Sequence, residues 1–167
     1  TNWPEHGHIL FVGSLTRRKN IGTLLDAYQA LLESGESSHI PPLVLAGPLT
    51  KQAGDLIETL ERPVFQKRVR HTGYIDSSRL RQLYEEASVL VLPSLHEGFG
   101  LPPIESINAG CPVVCSNIKV LREILGSSVL YFNPRKVLSI KKSMEEILKE
   151  KGKSKKLLKI GFDRIKK

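Results

Sequence analysis

Residues 88–105 read Ser-Val-Leu-Val-Leu-Pro-Ser-Leu-His-Glu-Gly-Phe-Gly-Leu-Pro-Pro-Ile-Glu, the order of a buried strand, a glycine-containing turn and a helix start. The apolar run 89–92 stops at Pro93, and Pro102 or Pro103 suits the first helical turn, where a missing N–H costs no hydrogen bond. In an open parallel sheet, ligands bind outside the carboxyl ends of the strands, facing helix N-termini. We therefore predict a ligand site along residues 97–105.

The same alternation of strand and helix continues on both sides of this segment. The predicted strands are residues 8–13, 43–47, 69–73, 89–92, 113–115 and 129–132. The predicted helices are residues 21–32, 50–61, 77–87, 103–109, 118–125 and 137–148. Strands that alternate with helices indicate parallel βαβ units, and strands that are apolar throughout indicate a sheet covered on both faces. The predicted fold is α/β, with a doubly wound parallel sheet of about six strands.

Composition places the chain among ordinary globular proteins. Its 167 residues are 40% hydrophobic and 25% charged, which suits one domain with a real core. No apolar run approaches the length of a membrane span, and no leader pattern indicates secretion. Cys111 and Cys115 lack two further ligands nearby, so we expect buried thiols in a reducing, cytoplasmic compartment. The abrupt start at Thr1 suggests a piece of a longer protein.

The formal net charge is +8, and much of it lies between residues 149 and 167. We expect a domain over residues 1–150 followed by a basic amphipathic helix over residues 151–167. Its apolar residues, among them Leu157 and Phe162, recur near helical spacing. This segment could be a solvated helix, pack on a partner domain, or lie on an anionic membrane surface.

The first strand ends in Gly13-Ser-Leu-Thr-Arg-Arg-Lys-Asn20, which has features of an anion site. Gly13 would let a ligand approach the backbone closely. Arg17, Arg18 and Lys19 precede a helix N-terminus, where cations are unfavourable unless an anion is bound. The spacing is not that of a Walker loop. A solvated loop, with Asn20 capping the next helix, remains the alternative.

Two further strand ends are candidates for the same site. Gly73, Tyr74 and Ile75 could present main-chain groups and an apolar wall to a flat base, or form an ordinary turn. Glu97 and Glu105 are separated by seven residues that form the turn and the helix start. Glu105 could merely complement the helix dipole, and the pair could also perform acid–base chemistry. Sequence spacing does not decide between these interpretations.

Taken together, these residues resemble the nucleotide-sugar-binding half of retaining GT-B glycosyltransferases, in the large family 4 group. The segment 97–105 resembles the Glu-x7-Glu signature of that group, and residues 13–20 resemble a variant of its phosphate loop. The sequences Gly-Tyr-Ile at 73–75 and Gly-Cys-Pro-Val-Val at 110–114 agree with the same frame. The resemblance extends from about residue 8 to residue 150, and it implies a Rossmann-like domain, one half of a GT-B fold.

The resemblance also implies roles for individual residues. Arg18 and Lys19 would neutralise the donor diphosphate as the sugar–phosphate bond breaks, and Glu97 would bind hydroxyls of the transferred sugar. Many members carry arginine where this chain has Ser14, which makes Lys19 the firmer phosphate contact. Glu105 would accept hydrogen bonds from the ribose. The residues expected to contact the donor are Gly13, Arg18, Lys19, Tyr74, Ile75, Glu97, Phe99, Gly100, Leu101 and Glu105.

The implied function is transfer of a hexose from a nucleoside-diphosphate sugar, of the GDP-mannose or UDP-hexose type, to a glycan or lipid-linked acceptor. No cofactor or metal is expected, because cationic side chains replace the metal and no Asp-x-Asp motif is present. The N-terminal GT-B domain would be a separate partner, so this part alone should bind donor weakly and show little transferase activity. We expect a cytoplasmic protein, compatible with a peripheral position on the membrane.

Two other functions fit parts of the sequence. Another GT-B enzyme, such as a nucleotide-sugar 2-epimerase, would share the fold, although the Glu-x7-Glu frame argues against it. A basic module for nucleic acid or membranes would use the net charge. Specific binding of nucleic acid is not expected, because the few aromatic residues are not interleaved with the cations.

Overall fold

The computed structural model describes residues 6–167, whose centre is one six-stranded sheet in the order β3-β2-β1-β4-β5-β6. Every pair of neighbouring strands is parallel. The strands are β1 (Ile9–Val12), β2 (Leu43–Ala46), β3 (Val69–Gly73), β4 (Val89–Leu92), β5 (Val113–Ser116) and β6 (Leu130–Phe132). The predicted α/β class and the Rossmann-like, doubly wound parallel sheet are confirmed.

Seven α-helices connect and cover these strands within the described residues. They are α1 (Ile21–Leu32), α2 (Leu56–Leu60), α3 (Ser77–Glu86), α4 (Leu101–Asn108), α5 (Lys119–Leu125), α6 (Val137–Lys149) and α7 (Lys151–Ile165). Every residue of β1, β2, β4 and β5 is buried, which explains why these strands are apolar throughout rather than alternating. Helix α1 packs on α6, and α3 packs on α4.

The strand order reverses between β1 and β4, and this topology positions the candidate site. The chain leaves β1 towards β2 and leaves β4 towards β5, so the loops after β1 and β4 separate and leave a crevice between them. Residues 13–20 follow β1, and residues 93–100 follow β4. The two segments singled out in the sequence therefore meet at one edge of the sheet.

The helix predicted for residues 50–61 is wrong as a single element. A 3₁₀ turn covers Lys51–Ala53, and only Leu56–Leu60 is α-helical. Gly54 interrupts the two because its φ of 61° and ψ of −128° are not helical. Ile57, expected on the apolar side, is 52% exposed, since the short helix buries only Leu56.

Helix α4 begins two residues before the predicted position, at Leu101. Gly100 adopts a left-handed φ of 62° directly before it, and both Pro102 and Pro103 lie in the first turn. Both prolines therefore lie inside the helix, in the first turn, where a missing N–H costs no hydrogen bond.

Helix α7 folds back onto the domain through one small and one apolar residue. Leu157 and Gly161 are buried, and a Cβ placed on Gly161 would lie 2.9 Å from Cγ2 of Ile107 on α4. Arg164 donates hydrogen bonds of 2.8 and 2.7 Å to the carbonyls of Glu123 and Ile124. The basic segment expected as an amphipathic helix thus packs on α4 through Gly161 and is hydrogen-bonded to α5 through Arg164.

Two sequence expectations concern the cysteines and membrane spans. Cys111 and Cys115 are free and buried, as predicted. Among residues 6–167 there is no helix with the length and apolar character needed to cross a bilayer. The first five residues of the domain predicted for residues 1–150 lie outside the described part of the chain.

Candidate functional site

A buried ion pair joins the loops after β1 and β4. Nζ of Lys19 lies 2.7 Å from Oε1 of Glu97, and their side chains are only 11% and 7% exposed. The hydroxyl of Ser94, which is fully buried, donates a second hydrogen bond of 2.6 Å to the same oxygen. The Glu97 carboxylate is therefore held by two donors at the crevice, while the resemblance had assigned Lys19 and Glu97 to different parts of one ligand.

Asn20 fixes the β1 loop against the end of β4. Its backbone is left-handed, with a φ of 61°, a conformation that asparagine tolerates better than most residues. Its amide Nδ2 donates to the carbonyls of Pro93 at 2.9 Å and Pro134 at 2.8 Å, and the N–H of Leu95 donates to the Arg18 carbonyl at 3.0 Å. In the alternative of a solvated loop Asn20 would cap α1, but its side chain makes no capping bond.

Glycines at the ends of β1 and β2 allow the two loops to approach closely. Gly13 and Gly47 both have a φ of 145°, and a Cβ on Gly47 would lie 2.0 Å from the Gly13 carbonyl oxygen. A Cβ on Gly13 would come within 3.4 Å of the Lys19 side chain. Gly13 thus leaves room for the lysine stem. Gly47 was not among the predicted site residues, although a glycine that ends a predicted strand was a visible signal.

The second glutamate of the window is held by a tyrosine from α3. The phenol of Tyr84 donates a hydrogen bond of 2.9 Å to Oε2 of Glu105. Burial, together with the adjacent Glu105 carboxylate, raises the pKa of Tyr84 far above its ordinary range, so the phenol remains a donor. Both residues line a cavity of about 540 Å³ between α3 and α4, shared with Arg81 and Asn108. Tyr84 was not among the predicted site residues.

Several predicted ligand contacts are exposed around the carboxyl edge of the sheet. Phe99 is 79% exposed and Tyr74 is 83% exposed, while Ile75 is half-buried. Gly100 is buried, and a Cβ there would lie 3.1 Å from Cδ2 of Leu121, so its lack of a side chain suits both its conformation and its surroundings. Leu101 is exposed at the first position of α4.

Arg18 occupies a different position from its neighbour Lys19. Its side chain is exposed and lines a second cavity, together with Arg17 and Lys51, on the side of the β1 loop that faces the β2 loop. The structure thus brings Lys19 and Glu97 together, and it places Arg18 beside a neighbouring cavity.

The arrangement offers a lysine, glycine backbone groups and a helix N-terminus at one crevice, with a carboxylate on each side. Cationic and N–H donors of this kind suit a phosphate group, and carboxylates suit hydroxyl groups. Within residues 6–167, no three His, Cys, Asp or Glu side chains are grouped in a way that could hold a metal ion.

Comparisons with known proteins show the family and the fold to which this chain is similar. The sequence model of the family described as Glycosyl transferases group 1 matches residues 4–164. The O-antigen chain mannosyltransferase B of Escherichia coli is 38% identical over 134 residues, which are 80% of this chain and 35% of that protein. Sucrose-phosphate synthase from Thermosynechococcus elongatus has a TM-score of 0.83 at 27% identity, covering 99% of this chain and 42% of the synthase.

A shorter solved structure shows the same fold. The C-terminal domain of a glycosyl transferase group 1 family protein from Francisella tularensis has a TM-score of 0.83 at 22% identity. The alignment covers 96% of this chain and 84% of that one. By contrast, the chain spans only 35% of the mannosyltransferase and 42% of the synthase.

Proposed function

Since the chain belongs to the family of glycosyl transferases, group 1, we propose that it is the donor-binding domain of a retaining enzyme. This enzyme transfers a hexose from a nucleoside-diphosphate sugar to a glycan or lipid-linked acceptor. The relatives are longer than this chain, which spans 35% of the mannosyltransferase and 42% of the synthase. In this proposal an N-terminal domain outside the given sequence binds the acceptor. Residues 1–150 form the donor domain in this proposal, and the basic helix after residue 150 packs against it through Leu157 and Gly161.

The observation that carries the proposal is the buried Lys19–Glu97 pair at the reversal of the strand order. Removing charges from water costs several kcal/mol for each ion, so a poorly exposed ion pair in a crevice is a candidate for a functional role. The crevice between β1 and β4 is also where open α/β sheets bind their ligands. The pair therefore marks the point where a charged, hydroxylated ligand would enter.

Lys19 would act on the leaving group. When the bond between the anomeric carbon and the phosphate oxygen breaks, the diphosphate gains negative charge. A fixed ammonium group and the N-terminus of α4 stabilise that charge without reorganisation, which is the largest contribution in many enzymes. Backbone groups of Phe99, Gly100 and Leu101 are the proposed neighbours of the diphosphate, and Arg18 is the second cation.

The glutamates would orient the donor at both ends. Glu97 receives two hydrogen bonds on Oε1, and a carboxylate has about four acceptor positions, so sugar hydroxyls can occupy others. Glu105 would accept from the ribose hydroxyls, with its orientation fixed by Tyr84. Tyr74 and Ile75 would border the base. Neither glutamate needs to transfer a proton in this proposal.

The donor is proposed from the relatives. The mannosyltransferase similarity favours GDP-mannose, and a UDP-hexose is the second candidate. The enzyme would work in the cytoplasm, and the basic surface would suit a peripheral position on an anionic membrane. No nucleic acid is proposed as a partner, and neither a cofactor nor a metal is required.

A thermal-shift screen of this chain with GDP, UDP, ADP and their sugar conjugates tests the proposal. A ligand that binds only the folded state raises its stability in proportion to the logarithm of concentration over Kd. We expect one nucleotide series to raise the melting temperature, and Glu105→Gln to reduce the rise. If no nucleotide raised it, the donor-site proposal would fail.

A further inference from the structure

We propose that Arg17 and Lys51, in a cavity that Arg18 also lines, form a second anion site beside the donor site, and that this second site binds a phosphate group carried by the acceptor. The assignment to an acceptor rests on the proposed glycosyltransfer, whereas the anion site itself rests on geometry alone. The cavity has a volume of about 510 Å³. The residues that line it are Thr16, Arg17, Arg18, Lys51, Gln52 and Gly54.

The lining carries three positive charges and no negative one. Among residues 6–167, the ion pairs that the structure shows involve none of these three cations. Like charges that converge on one cavity repel each other unless an anion enters between them. The hydroxyl Oγ1 of Thr16 is buried and has no hydrogen-bond partner among the described residues, so a ligand oxygen could satisfy it.

The walls of the cavity are fixed before any ligand arrives. Leu15 and Leu49 form a parallel bridge beyond the ends of β1 and β2, and the Leu15 N–H donates to the Pro48 carbonyl at 2.9 Å. The Thr50 hydroxyl donates to the Leu15 carbonyl at 3.0 Å. The same hydroxyl accepts a 3.3 Å hydrogen bond from the N–H of Gln52. The β1 and β2 loops are therefore joined by a bridge and by hydrogen bonds beside the cavity.

The Arg17 guanidinium lies beside Gly54. A Cβ on Gly54 would lie 3.4 Å from both Nε and Nη2 of Arg17, so the guanidinium lies against the glycine backbone. The φ of Gly54 is 61°, a conformation that favours glycine. Arg17 is thus oriented by packing while its charge stays unpaired within the described residues, an arrangement that preorganises an anion site.

The sheet order separates this cavity from the donor crevice. The Lys19–Glu97 pair lies between the loops of β1 and β4, whereas the cavity lies between the loops of β1 and β2, on the other side of β1. The ammonium of Lys19 is already paired with Glu97. A donor diphosphate in the crevice would therefore leave Arg17 and Lys51 free for a different anion.

A phosphate group is the anion that this set of donors suits best. Arginine offers a planar fork of N–H donors that matches phosphate oxygens, and lysine adds a compact charge. Pockets of about 300–1,000 Å³ hold small molecules, so the cavity has room for more than the phosphate itself. The proposed ligand is therefore a phosphorylated acceptor rather than a free phosphate ion.

Nuclear magnetic resonance titration of this chain with glycerol 3-phosphate, with glycerol as the uncharged control, tests the anion site. We expect saturable shifts of the Thr16, Lys51 and Gln52 amides with glycerol 3-phosphate and none with glycerol. The double variant R17Q/K51M should weaken binding at least tenfold, whereas the exposed control Lys155→Met should not change it. Equal shifts with both compounds, or unchanged binding in R17Q/K51M, would overturn the proposal.

A second arm separates this proposal from the donor assignment. Titration with the nucleotide selected by the thermal-shift screen should move amides of residues 97–105 and should do so equally in R17Q/K51M. If neither the unaltered chain nor the variant bound the nucleotide, the donor site would be refuted, while the glycerol 3-phosphate titration would still test the second anion site. In the full-length enzyme, R17Q/K51M should raise KM for a phosphorylated acceptor but not for the donor. A raised donor KM alone would contradict the acceptor assignment.

Discussion

Lys19 and Glu97 lie 78 positions apart in the chain and form a buried ion pair of 2.7 Å. The two residues follow different strands, and the strands are neighbours only because the sheet order reverses between them. The pair therefore joins the two loops that the resemblance had assigned to the diphosphate and to the sugar. The same two side chains therefore contribute to the stability of this edge of the sheet and to the proposed binding of the donor.

Lys19→Met should destabilise the chain by about 3 kcal/mol, because it leaves the Glu97 carboxylate buried without its cation. The double variant K19M/E97Q should recover part of that loss, since neither charge is then left unpaired. Urea unfolding measures both free energies of unfolding. The exposed control Lys155→Met should change stability by less than about 0.5 kcal/mol. A K19M variant as stable as that control would show that the pair contributes nothing.

Gly47→Ala should destabilise the chain by at least about 2 kcal/mol, through its φ of 145° and a contact of 2.0 Å with the Gly13 carbonyl oxygen. The matched control is Gly22→Ala on α1, where nothing lies within 4 Å of the new Cβ. This control should stabilise the chain by about 0.5–1 kcal/mol, because alanine favours the helix. Thermal unfolding compares the two, and equal effects would refute the close approach of the two loops.

Tyr84→Phe should weaken binding of the preferred nucleoside diphosphate by about tenfold, through loss of a hydrogen bond of about 1.5 kcal/mol to the Glu105 carboxylate. Binding of the corresponding 2′-deoxy nucleotide should change less. The ratio of the affinities for the ribose and the 2′-deoxyribose nucleotides should therefore fall. Tyr131→Phe is the control, because its hydroxyl donates to the Gly126 carbonyl at 2.7 Å, outside the proposed site. Calorimetric titration would contradict this role if Y84F kept full discrimination.

The two thiols should resist alkylation in the folded chain. Burial raises the pKa of Cys111 to about 12 and raises that of Cys115 further, so neither forms appreciable thiolate near neutral pH. Because the folded pKa exceeds the unfolded one, these thiols favour folding below pH 9 and lose that contribution as the pH rises towards 12. Mass spectrometry after iodoacetamide treatment should find both thiols modified in urea and neither without it.

Much of this fold was predictable because apolar runs and helical spacing report burial directly. Val89–Leu92 is apolar throughout because both faces of β4 are covered, which predicts a buried strand. The buried side chains of residues 21–32 share one face, which predicts a helix. The break in the helix predicted for residues 50–61 depends on Gly54. Its φ of 61° and ψ of −128° end the first turn, and the hydrophobic spacing of residues 50–61 does not encode that backbone conformation.

The site was predictable only in part. Chain order and resemblance suggested Lys19, Glu97 and Glu105, because they lie in recognisable motifs. Their partners were not predictable in the same way. Tyr84 was not predicted as a site residue, and its hydrogen bond to Glu105 arises only from how α3 packs on α4. Asn20 entered only as a helix cap in the alternative of a solvated loop, and its bonds to Pro93 and Pro134 connect loops that are distant in sequence.

Calorimetric titration of the preferred nucleoside diphosphate and its sugar conjugate into the unaltered chain, Glu97→Gln and Glu105→Gln tests the donor site most directly. We predict that Glu105→Gln weakens both ligands about tenfold through the ribose, whereas Glu97→Gln weakens only the sugar conjugate. Lys155→Met should leave both affinities unchanged. Equal affinities for all four proteins, or no binding of any nucleoside diphosphate, would contradict a donor site between β1 and β4.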